Sequence, residues 1–267
     1  MAQLLLNHST LRTHSQAVLI SRYSTQLHTL FVLLSHGLCL LPCRLRSQYP
    51  AARWGRNIEV PGEDPYQSGQ YAREFVQGFE RAPEDEGHIQ ASACCKHFVA
   101  NSMEATQEPD GEGYTRHTID ATIPMQDLID SYLAPFQTCV EQGKVSSLMC
   151  SYNSVNGYPS CANHWLLQEV ARDAWGFDGY ITSDCGAEQD VISSHHFDDA
   201  THAVRDILHA GTDVDCGGMM GGNAMKALNA SLITEGDIDT RLKMLFRVRM
   251  RYAYPFTQIY NFHQMLS

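Results

Sequence analysis

An aspartate stands at the end of an apolar run in Trp175-Gly-Phe-Asp-Gly-Tyr-Ile-Thr-Ser-Asp184-Cys185-Gly186-Ala187. A turn feeds a short strand, and one carboxylate closes it. Such a group can be a nucleophile, a base or a metal ligand, or it can simply cap the next helix. Two other apolar runs lead into polar residues. Ile89 to Cys95 ends in Lys96-His97, and Val145 to Cys150 ends in Ser151-Tyr152-Asn153. Three polar strand ends of this kind can gather at one edge of a parallel sheet. In barrels and open α/β sheets that edge is where sites are built.

The elements that must position these residues can be read from spacing. Tyr71, Phe75, Val76 and Phe79 predict a helix over 64–79, with Glu63 and Asp64 placed to cap it. Leu128, Ile129, Tyr132, Leu133 and Phe136 predict a helix over 125–140, which Pro135 should kink or shorten. Asn163 is a candidate N-cap for a helix to Trp175, and Ala200 to Ala210 reads as a helix closed by Gly211. A last helix runs from about Glu235 to Tyr252, with Ile238, Leu242, Leu245 and Phe246 as its apolar stripe. Strands alternating with helices imply an α/β fold with a parallel sheet.

Composition narrows the function. The chain has 267 residues, 43% of them hydrophobic and 18% charged, with a net charge of −11. That is enough apolar material for a sizeable core. The acidic balance argues against nucleic acid as a partner, since phosphate neutralisation needs surplus Lys and Arg. No run of 18 apolar residues predicts a membrane span. Residues 1–56 hold no Asp or Glu but six Arg. Such a segment suits a targeting peptide, a structured part of the domain or a non-native start.

Other clusters read as structural. His195-His196-Phe197-Asp198-Asp199 invites a metal, but a polar loop is the simpler reading. Gly217-Gly-Met-Met-Gly-Gly222 lacks phosphate-loop spacing and reads as a flexible loop. Met103 and Glu104 read as structural, and Arg56 could pair with Glu59 or Glu63. Asn229-Ala-Ser231 is a formal glycosylation acceptor. None of the nine cysteines forms a C-x-x-C pair. Cys185 with Cys216 and Cys150 with Cys161 are candidate disulfides, although sequence alone does not fix connectivity.

The stretch ending in Asp184 resembles the nucleophile region of glycoside hydrolase family 3. Further blocks agree in the same order: Trp54-Gly-Arg56-Asn57, Pro61-Gly-Glu63-Asp64-Pro65, Cys95-Lys96-His97-Phe98, Met149-Cys-Ser-Tyr152-Asn153, Asn156-Gly-Tyr-Pro-Ser-Cys161-Ala-Asn163 and Ala210-Gly-Thr-Asp-Val-Asp-Cys216-Gly217. The Ser-Asp-Cys and Asp-Cys-Gly forms are most similar to the β-xylosidase and arabinofuranosidase branch.

The resemblance implies a retaining exo-glycosidase on a (β/α)8 TIM-like barrel, partial here, followed in the family by an α/β sandwich domain. Carried over, Asp184 is the expected nucleophile. Arg56, Lys96 and His97 would bind the terminal sugar, and Met149 and Tyr152 would line its pocket. Arg116 and His117 would stand near it. A carboxylate nucleophile must be ionised, and the charges of Lys96 and Arg56 favour that form. No cofactor and no metal are implied, and the partner is an oligosaccharide or aryl glycoside. The family places its acid/base in the second domain or a following segment. The resemblance covers 53–251 and leaves 1–52 and 252–267 outside it. A barrel short of its early strands is expected to be marginally stable or to aggregate. Secretion is the compartment the family suggests. The reading from another class is a sugar-binding fragment without chemistry, and a third is a metal-dependent hydrolase using His195 and His196.

Overall fold

Helix α1 spans Pro65–Glu80 in a computed structural model of the chain, which describes residues 54–81, 88–105, 113–193 and 199–251. Asp64 caps it, its carboxylate accepting from the Gln67 amide at 2.6 Å. Pro65 sits in the first turn, where a missing N–H costs nothing. Ala72 and Val76 face the core, while Tyr71 points to solvent. The inward stripe is therefore narrower than the aromatic spacing suggests.

Three strands form one parallel sheet: β1 (Cys94–Phe98), β3 (Ser147–Cys150) and β6 (Tyr180–Ser183), in the order β1-β3-β6. Val214 bridges Thr182 and extends the sheet beyond β6. A second small sheet joins β2 (Asp120–Ala121), β4 (Ser154–Val155) and β5 (Tyr158–Pro159). Gly179 leads into β6. A Cβ there would lie 2.1 Å from the Ser146 carbonyl oxygen, so only glycine lets the two strands meet at this point.

The helices pack in separate clusters: those around Phe136 and Leu166 meet Leu148 and Ile181, while Leu245 and Val248 meet Tyr180 of β6. Helical structure runs through Met125–Asp127, a π-helical stretch Leu128–Leu133, and α2 (Ala134–Glu141). Pro135 does not end this run. It cannot donate an i→i−4 bond, and the winding just before it is π-helical. Residues Trp165–Ala174 are also π-helical, and the Asn163 side chain accepts from the Leu166 amide at 3.1 Å. Leu148, Cys150 and Ile181 pack against Phe98, Phe136, Leu166 and Leu167 in the main core.

The C-terminal part adds α3 (Ala187–Ser193), α4 (Ala200–Ala210), α5 (Met219–Asn229) and α6 (Glu235–Arg251). Helix α4 ends at Gly211 as expected. The glycine cluster is not a loop throughout: Met219 to Gly222 form the first turn of α5, where Asp215 accepts from the Met220 amide at 3.0 Å. On α6 the buried residues are Leu245 and Val248, whereas Phe246 is exposed. Among the described residues no helix is long and apolar enough to cross a membrane.

Disulfides join Cys150 to Cys161 and Cys185 to Cys216, and a third joins Cys95 to Cys139. The third ties β1 to α2 and was not among the candidate pairs. Cys94 is free and buried, and Cys39 and Cys43 lie outside the described residues.

Glu80 ends α1 beneath the sheet. Its buried carboxyl accepts from the Ala93 amide at 2.8 Å, the Ser146 amide at 2.9 Å and the Ser146 hydroxyl at 2.6 Å. Burial pushes this carboxyl up to about 7, against the pull of those hydrogen bonds. The folded state then holds a proton that the unfolded state has released. This contribution to stability is complete below the unfolded carboxyl range and is lost as pH rises through about 7. Denaturant midpoints at pH 5 and pH 8 should fall for the wild type, and Glu80→Gln should show a smaller fall. Equal falls would contradict this.

Candidate active site

The sequence of β1 decides where Lys96 and His97 go. Cys95 pairs with Leu148 and Phe98 with Cys150, three steps on β1 against two on β3. One extra residue is accommodated there, a bulge of the kind that re-aims side chains. Cys95 and Phe98 both enter the main core, which leaves Lys96 and His97 outside it. Both residues thus lie within β1 rather than beyond its end, and both are buried.

Asp184 follows β6 directly. Its Oδ1 accepts from the Cys185 amide at 2.8 Å, and its Oδ2 lies 3.3 Å from His97 Nε2. Arg56 Nη2 stands 3.5 Å from the same ring nitrogen. Burial, then the charges of Lys96, Arg56 and Arg116, hold His97 well below the usual histidine range. The ring is neutral at pH 7, and with its hydrogen on Nε2 it donates to Asp184. His97 Nδ1 is buried with no partner among the described residues.

Arg56 is held as well as placed. Its Nε and Nη2 donate to the two Glu59 oxygens at 2.8 and 2.7 Å, and its Nη1 lies 3.7 Å from Glu104 Oε1. Glu104 also accepts from Trp54 Nε1 at 3.0 Å and from Arg116 Nη1 at 3.3 Å. The paired guanidinium holds Glu59 below the usual carboxylate range. Sequence reasoning treated Glu104 as structural and Glu59 as a possible partner. The structure makes both of them the frame that orients two arginines.

Tyr152 follows β3 and its hydroxyl donates to the Cys185 carbonyl at 3.0 Å. Burial, then the Asp184 charge, push this phenol up, so it stays protonated. Arg116 stacks on the Tyr152 ring at 4.5 Å, and His117 lies 4.5 Å from it. His117 Nδ1 pairs with Asp190 Oδ2 at 2.7 Å, a partner in α3 that sequence did not offer. Burial raises the Asp190 carboxyl, against the pull of His117. Met149 is buried in β3 opposite Thr182, between two residues that face the main core. Strand alternation therefore turns it to the other face of the sheet.

The site thus assembles the Asp184 carboxylate, two arginines held by Glu59 and Glu104, a buried lysine, two histidines and a tyrosine at the carboxyl edge of three adjacent parallel strands. Fixed donors around one carboxylate suit a neutral polyhydroxylated ligand and nucleophilic attack on it. No cluster of three or more metal-ligating side chains occurs among the described residues, while His195 and His196 lie outside them.

Comparison with known proteins bears on that chemistry. Residues 50–248 match the glycosyl hydrolase family 3 N-terminal domain. The chain is 42% identical over 205 residues to the probable β-D-xylosidase 7 of Arabidopsis thaliana, covering 74% of this chain and 26% of that protein. It is 38% identical over 212 residues to a probable exo-1,4-β-xylosidase of Aspergillus terreus, covering 77% and 27%. A solved family 3 exo-β-xylosidase, in complex with a xylobiose aziridine probe, superposes with TM-score 0.69 at 33% identity over 77% of this chain and 26% of that one. β-Glucosidase 3B of Thermotoga neapolitana, in complex with glycerol, superposes with TM-score 0.61 at 29% identity, covering 79% and 27%. The chain spans about a quarter of the length of these relatives.

Proposed function

This chain belongs to glycoside hydrolase family 3, and on that premise we propose that it carries the nucleophile and sugar-binding part of a retaining exo-β-glycosidase acting on terminal β-xylosyl residues. The observation that supports this best is the Asp184 carboxylate at the end of β6, 3.3 Å from a neutral His97. In this reading the fold is part of a TIM-like barrel, and its sheet edge is the barrel's catalytic face.

Asp184 attacks the anomeric carbon. The bond from that carbon to the leaving oxygen breaks, and its electron pair leaves with the aglycone. Water then cleaves the resulting glycosyl ester with net retention. Lys96, His97 and Arg56 hydrogen-bond the sugar hydroxyls, and contacts that tighten in the transition state add several kcal/mol of acceleration. Tyr152 and Met149 shape the pocket wall, and Arg116 and His117 brace Tyr152. The second carboxyl that retention requires belongs, by family resemblance, to a further domain or segment. Three disulfides in the described residues suit an oxidising, secretory compartment.

Dinitrophenyl β-xyloside and β-glucoside test the reading directly, because dinitrophenolate departs without a proton donor. Faster release from the xyloside is expected. The solved β-glucosidase neighbours favour glucose as the second reading. Preference for the glucoside would select that one, and preference for an α-L-arabinofuranoside would move the assignment to that activity. No release from a folded sample would leave a sugar-binding fragment at most.

A further inference from the structure

Directly behind Asp184 lies a buried acid that the proposed chemistry does not use. Glu188, in α3, has no solvent exposure. Its Oε1 accepts from the Ser183 hydroxyl. Its Oε2 finds no N–H or O–H donor among the described residues and instead meets the Asp215 carboxyl. The two acids close around Gly217: a Cβ there would lie 3.0 Å from Asp215 Oδ1 and 3.4 Å from Glu188 Oε2. Two carboxyl oxygens attract one another only when one of them carries a proton. Burial and the Asp215 charge both push Glu188 well above the usual carboxylate range, so the proton resides there.

The pair connects to Asp184 on both sides. Ser183 precedes Asp184, and its hydroxyl, donating to Glu188, also accepts from the Cys216 amide at 2.8 Å. Cys216 is bonded to Cys185, which follows Asp184, and its carbonyl accepts from the Gly186 amide at 2.8 Å. Asp215 in turn receives the Met220 amide that starts α5. The backbone carrying Asp184 is therefore anchored on either side to one buried hub.

We propose that Glu188 is a positioning residue for Asp184: bonded to Ser183 and packed against Asp215 around Gly217, it fixes the Ser183–Gly186 turn so that the Asp184 carboxylate faces the sugar site. The inference rests on Asp184 being the nucleophile, but its structural half does not.

The experiment compares the full chain with Glu188→Ala and Glu188→Gln. It reads kcat and KM on dinitrophenyl β-xyloside, and amide exchange at Cys185 and Gly186. A mispositioned reacting group costs turnover more than binding, so Glu188→Ala should lower kcat by about thirtyfold with KM within about twofold. Exchange at both amides should quicken by about tenfold or more as the anchored turn opens locally. Glutamine can accept from Ser183 and donate to Asp215, so Glu188→Gln should recover most of both losses. If Glu188→Ala does not fold, Ser183→Ala cuts the same link and should show the same two changes. Unchanged exchange and kcat in the alanine variant would overturn the proposal, as would a glutamine variant as impaired as alanine. An inactive wild type would defeat the glycosidase reading, and exchange would then decide the hub alone.

Discussion

Asp184→Ala is expected to lower hydrolysis of dinitrophenyl β-xyloside by about a thousandfold or more, with the fold unchanged. The expectation follows from the position of the side chain. The Asp184 side chain is 14% exposed and lies just past the end of β6, so its removal opens no large cavity. What is lost is the only carboxylate that His97 directly contacts among the described residues. In the proposed reaction alanine lacks the attacking carboxylate, and a good leaving group does not replace it. Asp184→Asn should be nearly as inactive, since a neutral amide is a poor nucleophile of almost the same size. Stopped assays alongside circular dichroism would check both variants. A folded alanine variant retaining a tenth or more of the activity would exclude Asp184 from the chemistry.

The second large effect concerns stability. Asp213 is fully buried between Arg172 at 2.6 Å and Arg241 at 3.2 Å, and it also accepts from the Ile181 amide at 2.7 Å. Arg172 further donates to the carbonyls of Gly179 and Gly211 at 3.0 and 3.2 Å. One acid thus joins β6, the Trp165–Ala174 helix and α6. Burial raises the Asp213 carboxyl to about 6 despite both arginines. Asp213→Ala strands a buried guanidinium, for which the cost is about 3–5 kcal/mol. A denaturant series should show this as a lower midpoint. Replacing both partners, in Asp213→Leu with Arg172→Met, should recover part of the loss, because the stranded charge is the main penalty. A change below about 1 kcal/mol for the alanine variant would show that the cluster is solvated.

The parts of this architecture that were legible in sequence are those set by local pattern. The short run before Asp184 has the length of a strand, and β6 ends at Ser183, directly before Asp184. Asp64 and Gly211 mark helix ends because capping is a contact over three or four residues. The bulge in β1 was not legible. Lys96-His97 looked like residues after a strand, and only pairing with β3 shows that they lie within one. The Glu59 half of the frame around Arg56 was legible because the two residues are three apart, but the Glu104 half was not, since Glu104 meets Trp54 across the fold, as His117 meets Asp190. Cys95 and Cys139 are 44 positions apart and both sit in apolar stretches, so nothing local pairs them. The glycine cluster misled for a different reason. Glycine weakens helix propensity, but Asp215 caps the first turn and the burial of Met220 and Ala227 outweighs that cost. The family resemblance pointed to eight candidate residues, and the structure places Arg56, His97, Tyr152, Arg116 and His117 in one neighbourhood with Asp184, with Lys96 beside His97 and Met149 on the adjoining strand.

The central claim is that Asp184 becomes covalently bonded to the sugar. Incubation with a dinitrophenyl fluoroxyloside, whose fluorine slows both steps but slows hydrolysis of the ester enough to trap it, tests this by mass spectrometry. The account predicts a single added fluoroxylosyl group, on the peptide that contains Asp184, and none on Asp184→Ala. A folded chain that releases dinitrophenolate without acquiring the label, or that carries it on another residue, would contradict it.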